Sequence, residues 1–286
     1  MNAWTPVELM VAVIARTLED RRVFAQGIAT PMAAAAYLLA RLTHAPHSVI
    51  SYTVGNSLGV AVGALSLTRY EDLTLGRSLM RWSFPSVVTE LLPSLPVTEW
   101  FRPAQVDAYG NFNNVVIGPY HQPKVRLPGC GGIADVTTYF EDFSLYVPRH
   151  ESRVFVPRVD FISGVGHLSA QSPDERREDG IISPGPRRVV TDLCVLGFHD
   201  GRMAVDSLHP GVTLARVQEA TGFPLAVVSP PAETPPPTVD ELELIRETID
   251  PLGIRELERL PRRERQQQLW HIVQMEAAGG LHRRVV

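Results

Sequence analysis

The stretch Ala104-Gln-Val-Asp-Ala-Tyr-Gly-Asn-Phe-Asn113 predicts the end of a β-strand that runs into a tight polar turn. Further along the chain, Pro128-Gly-Cys-Gly-Gly132 predicts a loop whose backbone N–H groups can approach a ligand closely, because glycine carries no Cβ. Polar and basic residues lie between the two stretches, namely His121, Lys124 and Arg126. Such a pair is typical of a site that is built from loops on an α/β scaffold.

The length and composition are those of a large globular domain with an extension. The chain has 286 residues, of which 44% are hydrophobic and 20% are charged, and this length allows a core of normal size. We expect an α/β domain over residues 1–253 and a C-terminal helical extension over residues 254–286. The net charge of −4 gives no electrostatic support for a nucleic-acid partner.

The two cysteines and the N-terminal sequence predict a cytoplasmic protein. Cys130 and Cys194 lie far apart in a sequence that does not open with a basic segment followed by an apolar one. We therefore expect reduced thiols rather than a disulfide. No apolar run reaches the roughly 18–20 residues of a membrane span, so we expect no membrane association.

Helix and strand signals alternate along the chain. Thr5 followed by Glu8, and Thr238 followed by Glu241, are capping-box starts. The alternation predicts an open three-layer α/β/α sandwich with a mostly parallel sheet. The predicted helices span 7–19, 31–42, 213–220 and 238–249, and the predicted strands span 23–28, 49–54, 144–147, 154–162, 188–196 and 203–208, the last two joined by a hairpin at His199-Asp-Gly201.

The composition changes after Pro251. Residues 256–268 are dominated by Arg, Glu and Gln. An apolar stripe follows, made of Leu269, Trp270, Ile272, Val273 and Met275. This pattern predicts a C-terminal helix that docks on the body of the protein or on a partner.

A polar turn, Gly55-Asn-Ser-Leu-Gly59, follows the predicted strand 49–54. Taken alone, Asn56 is a turn former, because Asn tolerates left-handed backbone. Cys130, taken alone, is a small filler between glycines. Gln105 and Tyr109 are most simply residues that brace their own turn through side-chain to backbone bonds.

Several motifs along the chain, taken together, carry a family resemblance. They are Gln105-Val-Asp-Ala-Tyr-Gly-Asn-Phe-Asn113, Gly118-Pro-Tyr-His-Gln-Pro-Lys124, Pro128-Gly-Cys-Gly-Gly132, Val159-Asp-Phe-Ile-Ser-Gly164, Arg188-Val-Val-Thr-Asp192, Leu208-His-Pro-Gly-Val212 and Ala220-Thr-Gly-Phe223. In this order they resemble the β subunit of the glutaconate CoA-transferase type, from about residue 7 to residue 255.

The resemblance implies an open α/β fold, an obligate α subunit and an α₂β₂ heterotetramer that holds an acyl-CoA substrate in a cleft between its subunits. No His-Glu-x-x-His and no paired Cys-x-x-Cys motif occurs, and the thioester carbonyl is itself an electron sink, so we expect no metal and no cofactor beyond the coenzyme A of the substrate. The resemblance also places the glycine loop 129–132 near the thioester oxygen, where N–H donors stabilise a developing enolate or oxyanion.

The candidate site residues follow from the same resemblance. The catalytic positions are Asn56, Gly131 and Gly132. The substrate-binding positions are Gly55, Ser57, Gln105, Tyr109, Gly129 and Cys130.

The sequence departs from the family at the nucleophile. The transferases carry a glutamate just after the second buried strand, which forms the acyl anhydride and then the enzyme–CoA thioester. Here Asn56-Ser57 stands at that place by chemistry, or Thr53 in an ungapped alignment, and no acidic residue occurs between Leu42 and Ala64. An amide cannot replace a carboxylate in anhydride chemistry, so we do not expect ordinary CoA transfer.

We expect instead a subunit of a cofactor-free decarboxylase that converts 3-methylglutaconyl-CoA to 3,3-dimethylacrylyl-CoA, on the way to isovaleryl-CoA. In that branch of the family a cysteine is expected where Asn56 stands, so this chain is expected to be impaired. The alternatives are a ring-opening hydrolase subunit or a CoA-transferase subunit whose acid lies on the α chain. A further alternative is a non-catalytic scaffold subunit.

Overall fold

The computed structural model describes residues 4–52, 56–69 and 73–279. The chain divides into two compact units, Met1–Pro96 with Pro236–Val286, and Val97–Pro235. The described part of the predicted extension, residues 254–279, therefore belongs to the first unit. The predicted domain boundary at residue 253 stays a prediction.

Helices and strands alternate through most of the chain. The α-helices are α1 (Pro6–Arg16), α2 (Pro31–Thr43), α3 (Phe84–Ser86), α4 (Ile133–Tyr139), α5 (Pro173–Glu178), α6 (Leu214–Glu219), α7 (Val239–Glu243) and α8 (Arg262–Ala277). Two π-helical segments continue α3 and α7, at Val87–Leu91 and Leu244–Ile249, and short 3₁₀ helices lie at Leu92–Ser94 and Ile254–Glu258.

The described strands are distributed over both units. They are β1 (Val23–Gln26), β2 (Val49–Tyr52), β3 (Ser57–Gly59), β4 (Ser78–Arg81), β5 (Val97–Phe101), β6 (Gln105–Val106), β7 (Phe112–Asn113), β8 (Val116–Ile117), β9 (Val125–Arg126), β10 (Phe143–Val147), β11 (Val189–Thr191), β12 (Cys194–His199), β13 (Arg202–Leu208) and β14 (Ala232–Glu233).

In the first unit, β1 and β2 pair in parallel, and β3 and β4 follow as antiparallel neighbours. The helix α1 packs against α2. The capping box at Thr5 and Glu8 forms as predicted, and Thr17 ends the helix earlier than the predicted residue 19. Residues 7–15 of α1 are all buried, because both sides of this helix face protein rather than water.

Ion pairs to the buried Glu8 tie the C-terminal segment of this unit to α1. The Arg255 Nη2 atom lies 2.8 Å from Glu8 Oε1, and Arg246 Nε lies 2.7 Å from the same oxygen. Arg255 also pairs with Asp250, with 2.9 Å between Nη1 and Oδ2. A buried pair of this kind is costly to break, because removing one partner leaves the other charge uncompensated.

In the second unit, β5, β10 and β11 pair in parallel, and β12 and β13 form an antiparallel hairpin beside β11. The predicted hairpin turn is confirmed, with Asp200 and Gly201 both at positive φ. Positive φ at both central residues is the geometry of a type I′ turn, which suits the twist of the flanking strands.

The predicted strand over residues 154–162 is wrong. This segment contains turns and bends, and Phe155 forms only an isolated bridge with Val106. Phe155 is fully buried and stacks on His150, so its apolar character serves core packing. Pro157 lacks the N–H that a continuing ladder needs.

The predicted C-terminal helix forms as α8. Of the predicted apolar stripe, Ile272 is buried, whereas Leu269, Trp270 and Met275 are exposed. The α/β class with a mostly parallel sheet, as predicted, is confirmed, and the antiparallel pairs lie at the flanks. Within the described ranges, no helix is both long enough and apolar enough to cross a membrane.

Candidate functional site

The turn between β2 and β3 holds Asn56 in left-handed backbone, with φ of 49°. Its carbonyl oxygen accepts a hydrogen bond from the backbone N–H of Trp82 at 3.0 Å. Of the other predicted positions in this turn, Gly55 lies outside the described residues. The backbone conformation alone accounts for an Asn here, because Asn is enriched in the left-handed region.

The side chains of Asn56 and Ser57 differ in their surroundings. Ser57 is buried, and its hydroxyl donates to the carbonyl oxygen of Thr74 at 2.5 Å. The Asn56 carboxamide is half-buried and makes no hydrogen bond to any residue that the structure describes. Among the described residues of this turn, Asn56 therefore has a polar side chain that stays available to a ligand, whereas a substrate contact by Ser57 stays a prediction.

The turn at 107–111 in the second unit is braced by Asp107. Its Oδ1 atom accepts the backbone N–H groups of Tyr109 at 2.9 Å and Asn111 at 3.1 Å, and the Asn111 side chain donates to both carboxylate oxygens. Burial raises the pKa of Asp107 above its usual range, although the hydrogen bonds from Asn111 and Tyr109 oppose this shift. These contacts make the turn a rigid support.

Gln105 is buried beside this turn and is fully occupied by neighbouring residues. Its amide donates to Asp160 Oδ2 at 3.0 Å, and its Oε1 accepts from the Asn113 side chain at 2.7 Å and the Asp160 backbone at 3.1 Å. Tyr109 is half-buried with the Arg202 guanidinium 5.3 Å from its ring centroid. Bracing explains Gln105, and a substrate contact by either residue stays a prediction.

The loop 129–132 keeps its backbone open. Gly129 and Gly132 have φ values of 115° and 78°, which favour glycine over any residue with a Cβ. A Cβ on Gly129, Gly131 or Gly132 would meet no atom within 4 Å. Packing against the described residues therefore does not require glycine at these three positions.

The hydrogen bonds of this loop leave some of its backbone donors unused within the described residues. The Gly129 N–H donates to Asn114 at 2.9 Å, and the Cys130 carbonyl accepts the N–H of Ile133 at 3.0 Å. The N–H groups of Gly131 and Gly132 have no acceptor in the part of the chain that the structure describes. Open N–H groups on a fixed loop can stabilise negative charge that develops on a ligand oxygen.

The two thiols have different surroundings. Cys130 is half-buried in the glycine loop, and Cys194 is buried in β12. Burial raises the pKa of the Cys194 thiol to about 12, so this group stays a thiol and packs as an apolar side chain. Among the described residues, no group of His, Cys, Asp or Glu side chains has the arrangement of a metal site.

Two supporting residues were not assigned a role from the sequence. Asp160 orients Gln105 and also accepts the N–H of Gly118 at 2.9 Å. Asp160 lies within a motif that carries the family resemblance, so the sequence contained a pattern that could have identified it. Trp82 holds the Asn56 turn through its backbone N–H, and no sequence pattern marks a backbone donor from another strand.

Known CoA-transferases match this chain over most of its length. The model of the Coenzyme A transferase family matches residues 7–220. The B-type subunit of the 3-oxoadipate CoA-transferase of Pseudomonas knackmussii is 34% identical over 256 residues, which cover 86% of this chain and 94% of that protein.

Three solved structures resemble this fold over nearly their whole length. The glutaconate coenzyme A-transferase of Acidaminococcus fermentans has a TM-score of 0.76 and 28% identity, and the match covers 87% of this chain and 95% of that one. The decarboxylase AibA/AibB has a TM-score of 0.74 and 29% identity, with coverage of 88% and 97%. A variant of that decarboxylase in which asparagine replaces a cysteine has a TM-score of 0.75 and 29% identity, with coverage of 89% and 98%.

Proposed function

Because the chain belongs to the coenzyme A transferase family, we propose that it is the B-type subunit of a heteromeric acyl-CoA decarboxylase. The family consists of enzymes that act on CoA thioesters. The named relatives are B-type subunits of such enzymes, which supports a second, A-type subunit as the partner. An α₂β₂ assembly is part of the same proposal.

The observation that carries the proposal is the chemistry of the turn at Asn56. Anhydride formation needs a carboxylate at the nucleophile position. The sequence has no acidic residue between Leu42 and Ala64, and the carboxamide of Asn56 is the free side chain of the described turn. A reaction that needs no covalent acyl intermediate on this chain fits these residues better than CoA transfer.

Decarboxylation of a glutaconyl thioester needs no such intermediate. The bond between the γ-carbon and its carboxylate breaks, carbon dioxide leaves, and the electron pair passes through the double bond to the thioester carbonyl as a dienolate. A proton then returns to carbon. For 3-methylglutaconyl-CoA the product is 3,3-dimethylacrylyl-CoA, and the thioester itself is the electron sink.

The glycine loop supplies what this reaction needs from the protein. Charge develops on the thioester oxygen, and the unused N–H groups of Gly131 and Gly132 are donors of the right kind. Each preorganised donor of this type contributes a factor of about 10²–10³ in rate in a measured protease case. The similarity to the decarboxylase AibA/AibB supports the same assignment.

The return of a proton to carbon is the step that this chain is least equipped to catalyse. Asn56 is a hydrogen-bonding group but not a useful acid, whereas a thiol with an ordinary pKa of about 8.5 can donate a proton near neutral pH. We therefore expect slow decarboxylation by the chain as it stands.

The test is turnover by the co-expressed pair of subunits. The purified complex is incubated with 3-methylglutaconyl-CoA, and carbon dioxide and the CoA thioester products are followed by mass spectrometry. Loss of carbon dioxide with retention of the CoA thioester supports the proposal. Hydrolysis to free CoA, or no reaction at any enzyme concentration, overturns it.

CoA transfer with the acid supplied by the partner subunit is the second candidate. The similarity to the 3-oxoadipate transferase over 86% of the chain favours it. In that case the complex exchanges CoA between a donor thioester and an acceptor acid, and hydroxylamine displaces CoA from the partner's activated carboxyl group and leaves a hydroxamate on the partner and not on this chain.

A further inference from the structure

The C-terminal helix α8 contributes a buried carboxylate to the loop that follows β3. Glu276 Oε1 accepts the backbone N–H of Leu67 at 2.9 Å. Its Oε2 accepts the backbone N–H of Thr68 at 2.8 Å and the hydroxyl of Thr68 at 2.6 Å. Glu276 is 5% exposed, so these donors replace water around the charge.

The contacts keep this carboxylate ionised. Burial alone raises the pKa of Glu276, but the hydrogen bonds from Thr68, Leu67 and Ser66 outweigh burial and lower it. Hydrogen bonds to a charged group are roughly twice as strong as neutral ones. The loop is therefore held by charge-assisted hydrogen bonds that it donates to a single carboxylate.

The clamped loop is continuous with the turn that carries Asn56. Residues 57–59 form β3, and the chain then runs through buried Ala61, Val62 and Leu65 to the clamp. The Leu65 N–H also donates to the Ile249 carbonyl at 2.7 Å. The loop is thus fixed from both its backbone and its side chains.

Strand β4 and the residue that follows it also contact the turn at Asn56 and its neighbouring strand. The strands β3 and β4 pair from Ser57 with Arg81 to Gly59 with Ser78. Trp82, next after β4, donates its N–H to the Asn56 carbonyl. A shift of β4 relative to β3 would therefore change the hydrogen bond that holds the turn.

We propose that Glu276 is a positioning residue that clamps Leu67 and Thr68 and thereby fixes the turn at Asn56. This role rests on the proposed function, since it concerns the turn that stands in place of the family's nucleophile. Glu276 lies beyond residues 7–220, which the family model matches. The C-terminal helix is therefore a support for the site that this chain carries outside the matched segment.

Amide hydrogen exchange tests the clamp independently of any activity. The variants are Glu276→Gln and, as a matched control, Glu264→Gln, which removes the same charge from an exposed position of the same helix. We expect exchange at the Leu67, Thr68 and Trp82 amides to accelerate tenfold or more in Glu276→Gln and to stay unchanged in the control. Unchanged exchange at Leu67 and Thr68, or at Trp82, overturns the proposal.

Turnover by the complex provides the second readout. With 3-methylglutaconyl-CoA, we expect kcat of Glu276→Gln to fall about tenfold while KM stays within about twofold, and Glu276→Asp to recover part of the loss. An unchanged kcat despite faster exchange at Trp82 overturns the positioning role. If the unaltered complex shows no turnover, the proposed function fails, and the exchange at Trp82 alone decides whether the clamp holds the turn.

Discussion

The backbone N–H of Trp82 donates to the carbonyl oxygen of Asn56 at 3.0 Å. This bond fixes the backbone of the turn while the Asn56 carboxamide makes no hydrogen bond within the described part of the chain. The backbone and the side chain of Asn56 therefore serve separate purposes, and substitutions can separate them.

Replacing Asn56 with cysteine is expected to raise decarboxylation by about 10²-fold, because a thiol can return the proton that an amide cannot. The gain should fade as the pH rises above about 8.5, since the thiol then loses its proton. The measurement is kcat of the complex across this pH range. Asn56→Ser is the matched control, because its hydroxyl is a far weaker acid. Equal rates for all three proteins would remove position 56 from the mechanism.

A methyl group on Gly131 should block a ligand without disturbing the fold. This glycine is not in left-handed backbone, and a Cβ there meets nothing within 4 Å. We expect Gly131→Ala to keep the melting temperature and to lose at least tenfold in kcat/KM. Gly132→Ala, at φ of 78°, should also lose about 1 kcal/mol of stability. Full activity of Gly131→Ala would show that no ligand approaches this loop.

Gly166 should tolerate no side chain, because a Cβ there would lie 2.3–2.4 Å from backbone atoms of Tyr109, Gly110 and Asn111. Backbone atoms of a braced turn cannot move aside as a flexible side chain can. We expect Gly166→Ala to lower the free energy of unfolding by about 3 kcal/mol or more. Gly131→Ala is the control for this stability measurement, since a Cβ there meets nothing within 4 Å and its backbone is not left-handed. Equal urea midpoints for the two variants would contradict the close approach.

The Glu8 carboxylate should make stability fall in acid. Burial alone raises its pKa, but hydrogen bonds from Arg246 and Thr5 and the charge of Arg255 outweigh burial and lower the pKa below its ordinary value of 4.5. A lowered pKa in the folded state means that the stabilisation is fully present above about pH 4.5 and is lost as the pH falls through the lower, folded-state pKa.

Urea unfolding of the native chain and of Glu8→Gln measures this contribution. The variant should be about 3–5 kcal/mol less stable near pH 7, because it removes the buried carboxylate that Arg246 and Arg255 share. The difference should shrink between about pH 4.5 and the onset of acid unfolding. A difference that is constant with pH would mean that Glu8 does not ionise in the fold.

Local patterns predicted the features that depend on neighbouring residues. The capping box at Thr5 needs only Glu8 three residues later, and the hairpin at Asp200-Gly201 needs only two residues that accept positive φ. The order of motifs indicated the family, and the absence of an acid between Leu42 and Ala64 needed no structure at all.

The sequence by itself therefore determined the α/β class, the family and the absence of an acidic residue between Leu42 and Ala64, because each follows from residue types at short or fixed spacing. Only the tertiary structure decided that Phe155 is a core residue rather than part of a strand. It also decided that the Gln105 amide donates a hydrogen bond to Asp160, and that Glu276 accepts a hydrogen bond from Thr68. These contacts join residues far apart in the chain. Their stability comes from burial and shared hydrogen bonds, which exist only once the chain has folded.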